Sequence, residues 1–379
     1  MRIHLQFGAL IGGLLLLSFA KENNARAART GTDTTGKGGP ALRFSVPLAE
    51  NTLNERFYTM PDLGLLLQLK QPAGVQLGVT KQGRSVNAWY FPGTSDKRAL
   101  VIGGVHGSEL SSIEVAQALV EKMMAQEERT FYSVIIIPSL FPDNAATAMR
   151  EPAQTGSVLN IGRYTHDNAV DPNRQMPSPG EDLDEDIPED HLHRTIEKEN
   201  QFLLRLIREY RPDRIASVHS IRNTSYGGIY ADPRTDAKGL ALGYASDSSL
   251  AVDMATAVAD QEGNVAGNHL GDKPTALYYK DPTPVAKGLF QKRNTNGAAL
   301  KGHRGSGISM GTWGTTAIEN ESDPAANREA IRVITIEVPG AKRSFDYKRT
   351  PEQMFFRKQM QAFVNGIYEV FLSEKHVEG

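Results

Sequence analysis

In the stretch GGVHGSELSS (103–112) a histidine, His106, precedes a carboxylate, Glu109, by three positions, in a glycine-lined turn directly after the apolar run ALVI. Two readings fit that spacing: a pair of metal ligands, or two polar residues at the start of a surface helix. Two further polar residues stand inside apolar runs, His219 in RIASVHS (214–220) and Glu337 in VITIEV (333–338). A buried strand is a costly place for an imidazole or a carboxylate without a partner. Two histidines and one carboxylate, with a fourth position left to water, form the donor set of a catalytic zinc site. The chain has no cysteine, which excludes disulfides, thiolate metal sites and cysteine nucleophiles, so any metal must be held by nitrogen and oxygen.

The elements that must position these residues can be read from periodicity. SVNAWYFPG (85–93), RALVIGGV (98–105) and SVIIIPSL (133–140) read as strands, as do RIASVHS and VITIEV. Between them LSSIEVAQALVEKMM (110–124) sets Ile113, Ala116, Leu119, Val120 and Met123 at helical spacing, and ENQFLLRLIREY (199–210) predicts a helix feeding the strand that carries His219. The last amphipathic stretch, PEQMFFRKQMQAFVNGIYEVFL (351–372), opens with a helix-compatible proline and should pack back on the sheet. This alternation predicts an α/β fold, a single-domain sandwich with a mixed, largely buried central sheet flanked by helices. In open α/β sheets ligands gather beyond the carboxyl ends of the strands, which is where His106, Glu109, His219 and Glu337 fall.

Of the 379 residues 40% are hydrophobic and 23% charged, the balance of a globular protein with material for a core. The net charge of −2 provides no broad basic field, which argues against nucleic acid as a partner. Residues 1–20 run from MRIHLQ through FGALIGGLLLLSFA and end on Ser18, Phe19 and Ala20, the form of a cleavable signal peptide; an uncleaved anchor is the alternative. The run is shorter than a spanning helix needs, so no stable membrane span is expected after cleavage, and the expected location is periplasmic or secreted. Residues 21–44, rich in Gly, Thr, Asn and charge, read as a flexible tether, and 45–379 as the catalytic domain.

Five dispersed motifs, GGVHGSE, IPSLFPDN (137–144), GRYTHDNAVDPNR (162–174), SVHS (217–220) and TIEVPG (335–340), come in an order and spacing that resembles the M14 zinc carboxypeptidase family. GVTKQGRSVNAWYF (78–91) resembles that family's entry to the sheet, so the likeness covers nearly the whole chain after the tether. The resemblance implies one zinc ion per chain, with His106, Glu109 and His219 as its ligands. It implies that Asp171 orients the first histidine and that Asn173 and Arg174 bind the substrate's free carboxylate. Arg163 matches the arginine that stabilises the developing oxyanion, with Arg150 as competitor, and Glu337 matches the general base. The implied activity is hydrolysis of a peptide amide near a free C-terminus.

Where digestive members of that family carry a tyrosine, GSGISMGTWGTT (305–316) offers Trp313, a pattern similar to short bacterial murein peptide amidases; Trp313 as a packed aromatic is the alternative. This points to a peptide or muropeptide as substrate. Arg222, Arg304 and His303 are further candidates for reading a carboxylate on the substrate. The acidic run GEDLDEDIPEDHLHR (180–194) lacks the spacing of an EF-hand and reads as a solvated insertion near the cleft rim. Two other functions compete: an N-acyl amino acid amidohydrolase similar to succinylglutamate desuccinylase and aspartoacylase, and a non-catalytic peptide-binding relative. Retention of Glu337 with all three ligands argues against the latter. Nothing in the sequence sets the oligomeric state.

Overall fold

The structure, a computed structural model, describes residues 58–165, 169–271, 274–276, 306–344 and 350–377. The segments read as signal peptide and tether, together with His303 and Arg304, lie outside the described residues.

Among the described residues eight strands form one sheet: β1 (Tyr58–Thr59), β2 (Ala73–Val79), β3 (Ser85–Phe91), β4 (Arg98–Ile102), β5 (Ser133–Ile137), β6 (Arg214–Ile221), β7 (Gly228–Ala231) and β8 (Arg332–Pro339). Their order across the sheet is β1-β2-β3-β5-β4-β6-β8-β7. The central strands β5, β4, β6 and β8 are parallel, and β3 and β7 close them on either side as antiparallel partners. Among the described residues the α-helices are α1 (Leu63–Leu66), α2 (Leu110–Ala125), α3 (Pro142–Ala148), α4 (Lys198–Tyr210), α5 (Ala245–Asp260), α6 (Met310–Gly314) and α7 (Thr350–Gly366), the last continuing into a π-helical turn at Ile367–Phe371.

Successive strand residues face opposite sides, and both sides are covered. On one, Leu203, Leu204, Leu206, Ile207 and Tyr210 of α4 pack in a cluster with Leu100, Ile102, Ile135, Ile137, Ile215 and Val333. The alternate residues Ala99, Val101, Ala216 and Ile334 are equally buried. On the helix side, α2 and α5 each pack against α7, and α2 also lies against β6. The mixed, largely buried sheet is therefore the one the periodicity predicts.

The differences are at the edges. β3 ends before Pro92 and β5 before Pro138, earlier than the apolar runs suggest, because proline cannot donate to a ladder. The π-turn replaces the last α-helical turn of the C-terminal stretch. The strand β7 is only four residues, and α5 opens ASDSS, so neither carries a pattern strong enough to read in isolation. Among the described residues no helix is long and apolar enough to cross a membrane.

Candidate metal centre and catalytic cleft

At the end of β4 the chain turns through Gly103 and Gly104. Gly104 has φ +63°, and a Cβ there would come within 2.9 Å of the Ser139 backbone, so glycine is what lets the turn close against the β5 exit. A Cβ on Gly107 would lie 2.2 Å from the Asn144 backbone in α3. The tight turn delivers His106 and Glu109 to the carboxyl edge of the sheet, with Glu109 immediately before α2. On β6, Ile215, Ser217 and His219 share a face, and in the parallel ladder His219 stands opposite Glu337 of β8.

Three donor atoms converge. His106 Nδ1 is 2.9 Å from Glu109 Oε1, and His219 Nδ1 is 3.2 Å from both His106 Nδ1 and Glu109 Oε2. The far nitrogens are held separately: His106 Nε2 lies 2.8 Å from Asp171 Oδ1, and His219 Nε2 lies 3.0 Å from Ser217 Oγ. An ionised Asp171 only accepts, so His106 Nε2 carries the proton and, in the neutral ring, Nδ1 presents its lone pair to the centre. Asp171 also accepts the Asn173 amide at 2.9 Å, and Ser220 N donates to Glu109 Oε2 at 3.1 Å. All three clustered side chains are buried.

This donor set fits a divalent cation. A tetrahedral ion bonded at roughly 2.0–2.2 Å spaces its ligand atoms by roughly 3.3–3.6 Å, close to the separations here. Two imidazole lone pairs and a carboxylate facing one another without a cation repel, and a bound dication relieves that repulsion. His106, Glu109 and His219 are the group among the described residues whose ligand atoms all approach within 4.8 Å.

The electrostatics follow from burial and neighbours. Burial alone raises the Glu109 carboxyl, but His106 and Arg163 outweigh it and hold it well below the usual carboxylate range. Asp171 is likewise pulled down against its burial, by His106 and Arg163. Burial tends to lower His106, and Arg163 pushes the same way, yet the carboxylates of Glu109 and Asp171 leave it raised. Glu337 behaves differently: burial, reinforced by Glu109 and only partly countered by His219 and Arg163, pushes its carboxyl up to about 7.

These residues open into a cavity of about 380 Å³, whose lining also includes Arg163, Asn173, Arg174, Ser217, Asp232 and Thr335. Arg163 pairs with Glu109 through one terminal nitrogen and lies 3.4 Å from Asp171 Oδ2 through the other, while its buried Nε has no hydrogen-bond partner among the described residues. Arg150, the alternative, is exposed at the end of α3 and does not line the cavity. Asn173 spends its side-chain oxygen on the α6 N-terminus, accepting from Met310 N at 3.0 Å. A second, larger cavity of about 690 Å³ opens beside the amino ends of β6 and β8 and contains none of these groups.

Three expectations change. Trp313 is 1% exposed and packs in the core, donating Nε1 to the Glu181 carbonyl at 2.7 Å with Arg328 over its ring; it is a packed aromatic and does not reach the cavity. Arg222 is exposed beside Gly156 at the rim and is not part of the lining. The acidic run is not simply solvated: Arg208 binds Asp182 at 2.6 Å, Arg205 binds Glu185 at 2.6 Å, and Leu183 and Leu192 are buried. Its Asp182 and Glu185 face Arg205 and Arg208 of α4. Two residues escaped the sequence reading. Ser217 had a signal, since it precedes His219 by one strand period; Asp232, whose carboxylate accepts from Thr335 Oγ1 at 2.9 Å in the cavity wall, had none.

The class defined by fold and site is thus an α/β protein with a mixed eight-stranded sheet and a His-Glu-His cluster able to hold a metal ion at its carboxyl edge. No family model matches the chain, and no curated protein matches it. Among solved structures it is similar to bovine thrombin-activatable fibrinolysis inhibitor bound to tick carboxypeptidase inhibitor, at 11% identity over 83% of this chain and 96% of that one, with a TM-score of 0.46. It is also similar to carboxypeptidase A from Helicoverpa armigera, at 14% identity over 82% and 71%, TM-score 0.42. Murein-tripeptide amidase MpaA from Escherichia coli O157 is matched at 15% identity over 79% and 94%, TM-score 0.39.

Proposed function

We propose that this chain is an exported, zinc-dependent metallocarboxypeptidase that hydrolyses a peptide amide near a free C-terminal carboxylate, with cell-wall peptides as its substrate class. The observation that carries the reading is the meeting, in one cavity, of the His106–Glu109–His219 cluster with Glu337 and Arg174, residues drawn from separate stretches of the chain. The five motifs in order support the same roles, and the apolar N-terminal run supports export.

Zinc held by His106, Glu109 and His219 supplies Lewis acidity and a water of lowered pKa. Glu337, buried beside that cluster and with a carboxyl that ionises near neutrality, takes the proton from the attacking water and returns it to the leaving amine nitrogen. Arg163, which lines the cavity beside Glu109, supplies the positive charge that stabilises the carbonyl oxygen as negative charge develops there. Arg174 receives the substrate's terminal carboxylate through its planar fork, with Asn173 beside it. Asp171 keeps His106 in one tautomer and orientation.

Incubating the zinc-loaded protein with a peptide library and purified muropeptides, with products identified by mass spectrometry, tests the reading. Release of a C-terminal residue or fragment is expected; hydrolysis confined to N-acyl amino acids, or no hydrolysis, overturns it.

A further inference from the structure

The acidic segment at 180–194 ends in a built structure beside the cleft. The Asp190 side chain is fully buried; its Oδ1 accepts from the Leu192 amide at 2.8 Å and the Arg194 amide at 3.0 Å, and its Oδ2 accepts from Arg194 Nε at 2.7 Å. This closes a tight turn in which His193 adopts φ +58°. The guanidinium so fixed reaches outward, and one terminal nitrogen donates to two carbonyls at once, Arg174 O at 2.7 Å and Ser306 O at 3.0 Å. Those carbonyls belong to two loops that meet nowhere in sequence. The loops are pressed together there: Gly307 has φ +119°, and a Cβ on it would lie 2.2 Å from Arg174 O and 2.6 Å from the Arg194 nitrogen. Met176 then bridges Ile308, and Asn173 Oδ1 caps the helix that starts at Met310.

We propose that the Asp190–Arg194 pair is a positioning element for substrate carboxylate recognition. It clamps the backbone of Arg174 to the 306–310 loop, so the Arg174 guanidinium is held in the cavity before substrate arrives. Neither residue touches substrate. A guanidinium suits the task because its fork can serve an acid on one edge and carbonyls on the other, which a lysine cannot do as completely. Preorganising a carboxylate receptor lowers the ordering cost of binding, so its loss is felt in substrate affinity more than in turnover. This inference rests on the reading of Arg174 given under Proposed function.

The test uses the zinc-loaded full chain, with one peptide in two forms: free C-terminal carboxylate and C-terminal amide. Arg194→Ala is expected to raise KM for the carboxylate form by roughly tenfold, to change kcat by less than about twofold, and to leave KM for the amide where it was. Arg194→Lys should recover part of the loss, and Asp190→Asn should shift KM in the same direction as Arg194→Ala. Calorimetric binding of both peptides to Glu337→Gln, with and without Arg194→Lys, repeats the comparison without turnover, and thermal unfolding midpoints identify any variant that fails to fold. If the Arg194 variants prefer carboxylate over amide as strongly as the parent, the positioning role is overturned. Equal losses on both peptides overturn it too, since they show only a scaffold. If the parent itself treats the two peptides alike, the carboxylate role of Arg174 falls, and the positioning role with it.

Discussion

His219 and Glu337 stand directly opposite each other on the neighbouring parallel strands β6 and β8, so the strand register alone sets an imidazole of the cluster able to hold a metal beside the carboxylate proposed as base. Replacing Glu337 with Gln keeps the shape and removes the proton acceptor. We expect kcat to fall by roughly 10²–10⁴-fold with zinc content unchanged. A Glu337→Gln protein at full rate would falsify the base assignment.

The pH profile follows from the same carboxyl. Only its ionised form accepts a proton, so activity rises with pH as Glu337 deprotonates. Without metal the group ionises at about 7, and a bound dication adds positive charge that favours the ionised form. The acid limb of kcat/KM is therefore expected below pH 7 in the loaded enzyme, and to vanish from the residual activity of Glu337→Gln. A limb lying above 7 contradicts this placement.

Metal binding can be read without turnover. Chelation should abolish hydrolysis and stoichiometric zinc should restore it. His219→Ala and Glu109→Ala should each lose the bound ion in elemental analysis after dialysis. Asp171→Ala, which removes the partner of His106 Nε2 along with the contacts to the Asn173 amide and Arg163, should weaken zinc affinity by roughly 10–100-fold while keeping the stoichiometry at saturation. Unchanged affinity in Asp171→Ala would show that the aspartate has no part in orienting the ligand.

Glu199, at the start of α4 and away from the cleft, links pH to stability. Burial, with Glu197 and Asp143 adding to it, raises its carboxyl to about 7. A folded-state pKa above the unfolded value means that proton binding stabilises the fold. That contribution is complete below the unfolded value near 4.5 and is lost as pH rises through 7. After allowance for solvent screening the effect is on the order of 1–2 kcal/mol. Glu199→Gln should accordingly be the more stable protein at pH 8 and show a flatter dependence between pH 4.5 and 7, measured by urea unfolding.

Trp313 gives a structural prediction where the sequence suggested a functional one. Trp313→Ala opens the core beneath Arg328 and should cost about 3–5 kcal/mol. Trp313→Phe, milder in volume, should lower the thermal midpoint with KM unchanged. A specific rise in KM for Trp313→Phe would return the residue to the substrate site.

How much of this could be read from the chain follows from what local pattern encodes. His106, Glu109, His219 and Glu337 were legible because each is a polar residue set at or in a strongly apolar strand, and the central strands declare themselves by length and β-branched content. Asp171 and Arg163 came from motif order, since nothing in their spacing to His106 requires contact. Packing alone decided three matters. Trp313 lies in the core because its indole finds the Glu181 carbonyl there. The acidic run is anchored because α4 turns Arg205 and Arg208 towards it. Arg194 meets both Arg174 and Ser306 because two loops distant in sequence are pressed together at Gly307. A residue's type and local period determine whether it can be buried and which face it takes. Which partner awaits it depends on how segments distant in the chain, from 20 residues apart for Arg205 and Glu185 to 132 for Trp313 and Glu181, are brought together, and that is a property of the tertiary structure.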